Sequence, residues 1–332
     1  MLQKLNPDVD IERALRTMAT SSESNESSPE VQWRSDPGRE NAPSADKFEW
    51  NESPPSQTDD LDGMASLPTR STGSGYLGNS SGSHLLRTIS NLLPGYPVPE
   101  NDQLEQLSPT IPSATKELSL SADLGNTVVL ESLVDSYFMF YNPSYPILHE
   151  KTFRQQYQNR ADIDACSRWH LLFHIVLAIG EWILAGGPET EQSRYYIAAR
   201  SRMSMRMLES GTLLTVQAFL LMGNYLQKRN RPNTGYNFIG IAYRMALGLG
   251  LHREPPAVTG NDTLLYEQRR VVWWIIYCFD SGLSLTTGRP STISNSFIET
   301  RFPRNIDDSS CSMNSPLPEP TDKTTNVLHM RM

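Results

Sequence analysis

From Asn126 onward, apolar positions recur at helical spacing. Leu130, Leu133, Val134, Tyr137, Phe138 and Tyr141 follow the i, i+3, i+4, i+7 pattern. That predicts a half-buried helix ended by Asn142-Pro143, because proline has no N–H to continue the ladder. A proline-rich turn runs through Pro146, and a short helix with Phe153 and Tyr157 on one side follows. Cys166 to Leu184 is apolar nearly all round, as a central helix is, and Gly186-Gly187-Pro188 closes it. A helix from Glu191 to Glu209, bearing Tyr195, Ala199, Met203 and Met207, is expected to stop at Gly211. Thr212–Gln227, Tyr236–Leu249 and Leu264–Leu285 complete the set, and no run alternates as a strand does. The expected fold class is all-α, a packed array of antiparallel helices with short loops over residues 126–332.

The first 125 residues read differently. They are rich in Ser, Pro, Asn, Gly and acidic residues and hold 12 of the 23 prolines. Such a stretch cannot bury enough apolar surface to offset chain entropy, so a disordered linker or activation segment is expected over 1–125. Charge sharpens the division. This segment carries 9 basic and 19 acidic residues, a net −10, which leaves 20 and 18, a net +2, for the rest. Two stretches stand out within it. Leu2, Leu5, Val9, Ile11 and Leu15 are spaced for a short amphipathic helix, with a frayed terminus the alternative, and Trp33, Phe48 and Trp50 lie among acidic residues, either as a linker with incidental aromatics or in the manner of segments that dock rings into partner grooves.

Composition excludes several classes. Without a basic stripe the chain lacks the electrostatic footprint of a self-sufficient nucleic-acid binder. Cys166, Cys278 and Cys311 are odd in number and far apart, which suits neither a disulfide framework nor a paired-cysteine zinc motif and points to a reducing compartment. Met1 to Asp10 has charges and no apolar core, so no secretory signal is read there. The longest apolar run, Trp169 to Ala185, is interrupted by His170, His174 and Glu181 and is too short to span a bilayer, so no membrane partner is expected.

Candidate chemistry is sparse. His170 and His174 stand at i, i+4 on one helix face with Glu181 two turns on, a spacing that can chelate zinc. Leu171 occupies the place where a metalloprotease helix carries its general base, so buried, hydrogen-bonded histidines are the expectation. Gly248-Leu249-Gly250 is a helix end rather than a phosphate loop, no serine lies in a nucleophile elbow, and neither Cys166 nor Cys278 has a recognisable base. No enzyme is expected, and no catalytic, cofactor or metal residue is assigned. Lys228, Arg229 and Arg231 sit where cations favour a helix C-terminus, and Arg194, Arg200, Arg202 and Arg206 spread around their helix as solvated charges do.

The run from Arg269 to Pro290 resembles the signature of the fungal-specific transcription factor domain, approximately R-R-x-x-W-W-x-x-Y-x-x-D-x-x-x-S-x-x-x-G-R-P. Arg269, Arg270, Trp273, Trp274, Tyr277, Asp280, Ser284, Gly288, Arg289 and Pro290 all fall in register. Other segments agree in order: the aromatic, proline-rich entry Tyr141 to His149, the marker from Gln217 to Tyr225, and the run Ile241 to Arg253, whose end carries Gly250, His252 and Arg253. The similarity covers roughly residues 130–310. It implies the regulatory middle region of a fungal transcription factor, acting in the nucleus with transcriptional co-regulators, as a homodimer or as a heterodimer with a complete factor. The alternative is an all-helical scaffold or dominant-negative dimerisation partner, and a metabolite-sensing interior is a third reading.

Physically these markers read as scaffold. Gly288 ends the tryptophan helix, Pro290 blocks its continuation and Arg289 can bond the last carbonyls. Asp280, mid-helix and apolar in its surroundings, is expected to pair with Arg244, Arg253, Arg270 or Arg289. The family reads DNA through an N-terminal binuclear zinc cluster of six cysteines. Nothing before Cys166 can ligate zinc, so zinc and promoter DNA are implied for the family's cluster and not for this chain. The chain is also expected to stop inside the next helix, near Asn326 to Met332.

Overall fold

The computed structural model describes residues 78, 81–92, 126–186, 193–229, 231–254, 263–306, 311 and 317–320. The stretches around Leu2–Leu15 and Trp33–Trp50, and the end from Asn326, lie outside the described residues. Within them the chain is helical with no strand, as its periodicity predicts. The helices are α1 (Gly82–Leu92), α2 (Thr127–Ser136), α3 (Glu150–Gln158), α4 (Trp169–Leu184), α5 (Arg194–Ser201), α6 (Arg206–Glu209), α7 (Leu213–Lys228), α8 (Pro232–Gly248) and α9 (Leu264–Thr287).

Local chemistry places their starts. Asn126, His149, Ser193 and Thr212 each accept a backbone N–H from the first turn, satisfying donors the helix cannot pair itself. Pro232 opens α8, where a missing N–H costs nothing. α2 widens into a π-helical turn, Tyr137–Tyr141. Tyr137 and Tyr141 then both face inward, stacked at 5.2 Å, while Met139 and Phe140 turn outward. The Tyr141 hydroxyl donates to Asn224 Oδ1 at 2.8 Å, tying this turn to α7. Asn142 closes the proline turn with a side-chain N–H to the Leu148 carbonyl at 3.1 Å.

The core centres on α4, whose residues Leu171 to Gly180 are all buried, between α2, α5 and α7. Two close crossings need glycine. A Cβ on Gly180 would lie 2.1 Å from the Leu133 carbonyl oxygen of α2, and one on Gly235 would lie 2.8 Å from the Gly223 carbonyl oxygen where α7 meets α8.

The structure differs from the sequence reading in two places. The single helix expected over Glu191 to Glu209 is two, because the chain turns at Arg202 to Met205. There the amides of Arg202 and Met203 bond only three residues back, to Ala199 and Arg200, at 3.1 Å each. And α1 lies within the first 125 residues, where the sequence reading expects no element beyond the stretch Leu2–Leu15, although Leu85, Leu86, Ile89 and Leu92 are spaced helically in the sequence.

Candidate functional site

The signature residues all gather on α9, on the loop that leaves it, and at the end of α8. Five of them, Gly250, Ser284, Gly288, Arg289 and Pro290, finish a helix. Gly250 and Gly288 take positive φ values of 68° and 67°, a conformation natural only to glycine. The Arg289 amide then donates back to the Ser284 carbonyl at 2.9 Å, and the Leu251 amide to that of Ala246 at the same distance. Ser284 Oγ donates to the Pro290 carbonyl at 3.3 Å, so the helix holds the turn that ends it.

The other residues reach further. Arg269 Nη2 donates to the carbonyls of Leu249 and Gly250 at 3.1 and 3.2 Å, capping α8 from α9. His252 offers its carbonyl to the amides of Glu299 and Thr300 at 2.9 and 3.1 Å. Trp274 Nε1 donates to the Arg301 carbonyl at 2.8 Å, and its ring packs on Phe302 at 4.4 Å and edge-on to Tyr277 at 5.5 Å. Trp273 is fully buried beside Tyr243 and His252. Arg253 is exposed and contributes only its backbone amide, to Gly250.

Arg270 is the electrostatic centre. Its Nε donates to both carboxylate oxygens of Glu254, at 3.0 and 3.2 Å, and its Nη1 to Glu267 Oε2 at 2.9 Å. Those carboxylates in turn accept the amide of Arg301 at 3.2 Å and of Arg304 at 2.6 Å. Burial alone would raise the Glu254 carboxyl, but the bonds and attraction from Arg270 and Arg301 hold it below its ordinary value. Burial wins at the deeper Glu267, whose pKa is raised despite the same arginine. Burial works against charge on Arg270 too, and its two partners outweigh it, holding its pKa above the usual value.

Two expected partnerships are corrected. Asp280, 2% exposed, pairs with no arginine among the described residues. Its Oδ2 accepts the Thr292 amide at 2.9 Å and the Ser291 hydroxyl at 3.4 Å, so it grips the loop just past the Gly-Arg-Pro turn. Arg289 does not cap its own helix with its side chain. Its guanidinium bonds Asn233 Oδ1 and lies 5.0 Å over the Tyr236 ring, joining the turn to the start of α8. Glu254, Glu267, Asn233, Tyr236 and Thr300 belong to the same assembly and were not singled out from sequence. Only Glu267, three residues before Arg270, carried a visible signal.

The arrangement is mechanical. Most of its polar groups hold backbone, Arg270 acts through the Glu254 and Glu267 carboxylates and Arg289 through Asn233, and among the described residues none pairs a nucleophile with a base. The histidine pair lies elsewhere and is divided: His174 Nδ1 meets the His170 carbonyl at 2.5 Å, while His170 Nε2 meets the Asp164 carbonyl at 3.0 Å. Glu181 accepts the Ser193 hydroxyl. Among the described residues no three His, Cys, Asp or Glu side chains come together as metal ligands, and no helix is long and apolar enough to cross a membrane.

Comparison with known proteins places this geometry. The sequence profile described as the fungal specific transcription factor domain matches residues 134–326. The lactose regulatory protein LAC9 of Kluyveromyces lactis is 37% identical over 175 residues, 53% of this chain and 20% of that protein. The acetamidase regulatory protein of Aspergillus oryzae is 31% identical over 178 residues, 52% of this chain and 22% of that one. The thiamine repressible genes regulatory protein thi1 of Schizosaccharomyces pombe is 27% identical over 249 residues, 69% of this chain and 31% of that one. These matches therefore span about a fifth to a third of each relative's length. No solved structure matches the chain.

Proposed function

The chain belongs to the fungal specific transcription factor domain family, and on that premise we propose that it acts in transcription regulation as the helical regulatory region of a larger factor, working in the nucleus and catalysing no reaction. The observation that carries this is the coincidence of the family match with the assembly around α9. Trp274 and Asp280 hold the tail 291–306 directly, His252 holds it through its carbonyl and Arg270 through Glu254 and Glu267, as a scaffold does.

The zinc cluster implied by the family resemblance does not fit the residues present. Cys166 is exposed, Cys278 half-buried and Cys311 buried, a set of three against the six that such a cluster takes. We assign DNA contact and metal to none of these 332 residues. The segment 1–125, net −10, is read as the activation or linker arm, and transcriptional co-regulators as the partners.

Fusing the chain to a foreign DNA-binding domain tests the reading. Reporter output is expected to change, up or down, relative to that domain alone. An unchanged reporter, together with dimerisation of the chain, favours the scaffold or dominant-negative alternative instead. Sequence-specific DNA binding by the purified chain near ~10 nM, the lower range of specific factors, refutes the assignment of DNA contact elsewhere. Stoichiometric bound zinc in the purified chain refutes the metal assignment.

A further inference from the structure

Gly288 does more than end a helix. The amide of Gly78 donates to the Thr287 carbonyl at 2.8 Å, one of the last-turn acceptors that α9 cannot satisfy itself. The two glycines meet backbone on backbone. A Cβ on Gly78 would lie 1.8 Å from the Gly288 carbonyl oxygen, and one on Gly288 would lie 2.7 Å from the carbonyl carbon and oxygen of Gly78. The Gly78 carbonyl accepts the Ser81 amide at 2.9 Å. Ser81 is fully buried and opens α1, its hydroxyl accepting the His84 amide at 3.3 Å and its carbonyl the Leu85 amide at 3.0 Å. Beyond that start the exposure rises, with Leu85 at 50% and Leu92 at 44%.

We propose that the Gly-Arg-Pro turn is the seat of a detachable strap, made of Gly78 and of α1 with Ser81 at its start. The seat is built from backbone. It admits a residue without a side chain and excludes every other, which gives specificity without a large interface. The bond itself is a single neutral hydrogen bond, small beside the burial that holds α4, α7 and α9 together. Opening the strap, which parts that bond and the contacts of the buried Ser81, leaves the burial among α4, α7 and α9 in place, as low-stability local openings do. Gly288 thus serves twice, through its positive φ and through the close approach it permits. Ser81 is the second determinant, because a charge at that fully buried position cannot stay docked.

Limited trypsin digestion of the full chain tests this. Arg87 lies within α1, so the docked strap protects its peptide bond. Gly78→Val and Ser81→Asp are each expected to raise cleavage after Arg87 by about tenfold, with thermal melting of the helical domain unchanged. Gly240→Ala, at a position where a Cβ meets nothing within 4 Å, is the control and leaves cleavage at its wild-type rate. Equal cleavage in the wild type and both variants overturns the proposal. So does a fall in domain melting that tracks the cleavage, which would make the strap part of the core. Protection that disappears on dilution overturns docking within one chain and places the seat against a second copy.

Discussion

Replacing Arg270 by Met removes the charge at the centre of the tail's anchorage while keeping most of the side-chain volume. The loss is large because of what remains. Glu267 is 4% exposed, and burial already raises its carboxyl with the arginine present. Taking one partner from a buried pair costs about 3–5 kcal/mol, chiefly the uncompensated charge left behind. The lower end applies here, since Glu254 is 17% exposed at its side chain and can rehydrate, and Glu267 can take up a proton. A loss of ~3 kcal/mol lowers the melting temperature by roughly 6–12 °C for a domain of this size. Circular dichroism melting measures it, and hydrogen exchange at the Arg301 and Arg304 amides, which the two carboxylates hold, locates it. The pH dependence has a fixed sign. Without Arg270 the folded-state carboxyls bind protons more readily than in the wild type, so the variant's deficit shrinks as pH falls from neutrality through the carboxylate range. Adding Glu267→Gln to the variant restores part of the loss, because a neutral amide at that site leaves no buried charge. Melting of Arg270→Met within ~1 kcal/mol of the wild type, or a deficit that grows on acidification, refutes the account.

Asp280→Ala is expected to destabilise by about 2 kcal/mol, the worth of a buried charge-assisted bond, and to speed exchange of the Thr292 amide. Loss of stability with that amide still protected would mean the grip on the loop is not what Asp280 supplies. Gly180→Ala drives a Cβ to 2.1 Å from the Leu133 carbonyl oxygen and is expected to cost ~3 kcal/mol, whereas Gly240→Ala, in open space on α8, gains about 0.5–1 kcal/mol; the two melting shifts have opposite signs or the close crossing is wrong. Burial lowers the His174 pKa to about 4, and the charges of Arg202 and His170 lower it too, against the bond to the His170 carbonyl. Its folded pKa lies below the unfolded one, so the stability of the neutral form is present above pH ~6.5 and is lost as pH falls through about 4, on the order of 3 kcal/mol. A His174→Gln variant lacks that slope in melting measured against pH, and equal slopes in both proteins rule the mechanism out.

The helices were legible because burial imposes a period, and the period survives in the order of residues whatever the partners are. Partnerships obey no such period. A buried charge calls for an opposite one, which points Asp280 to an arginine, yet a backbone amide serves as well, and the amide belongs to a loop whose return no local pattern announces. Arg289 was assigned the carbonyls of its own helix, but backbone amides occupy them first: Arg289 itself on Ser284, and Gly78 on Thr287. The guanidinium is thereby released to reach Asn233 and Tyr236. Glu254 is sixteen residues before Arg270, so only the folded chain pairs them, whereas Glu267 stands at i−3 on the same helix. The signature's residue types now acquire separate reasons. Its first arginine caps α8, its second bridges two carboxylates that hold the tail, its second tryptophan and its aspartate each grip one point of that tail, and its glycine admits a distant backbone. The signature positions follow one another at i+3 and i+4 along α9, so the spacing announces the face they share and is silent on the separate long-range contact each makes from it.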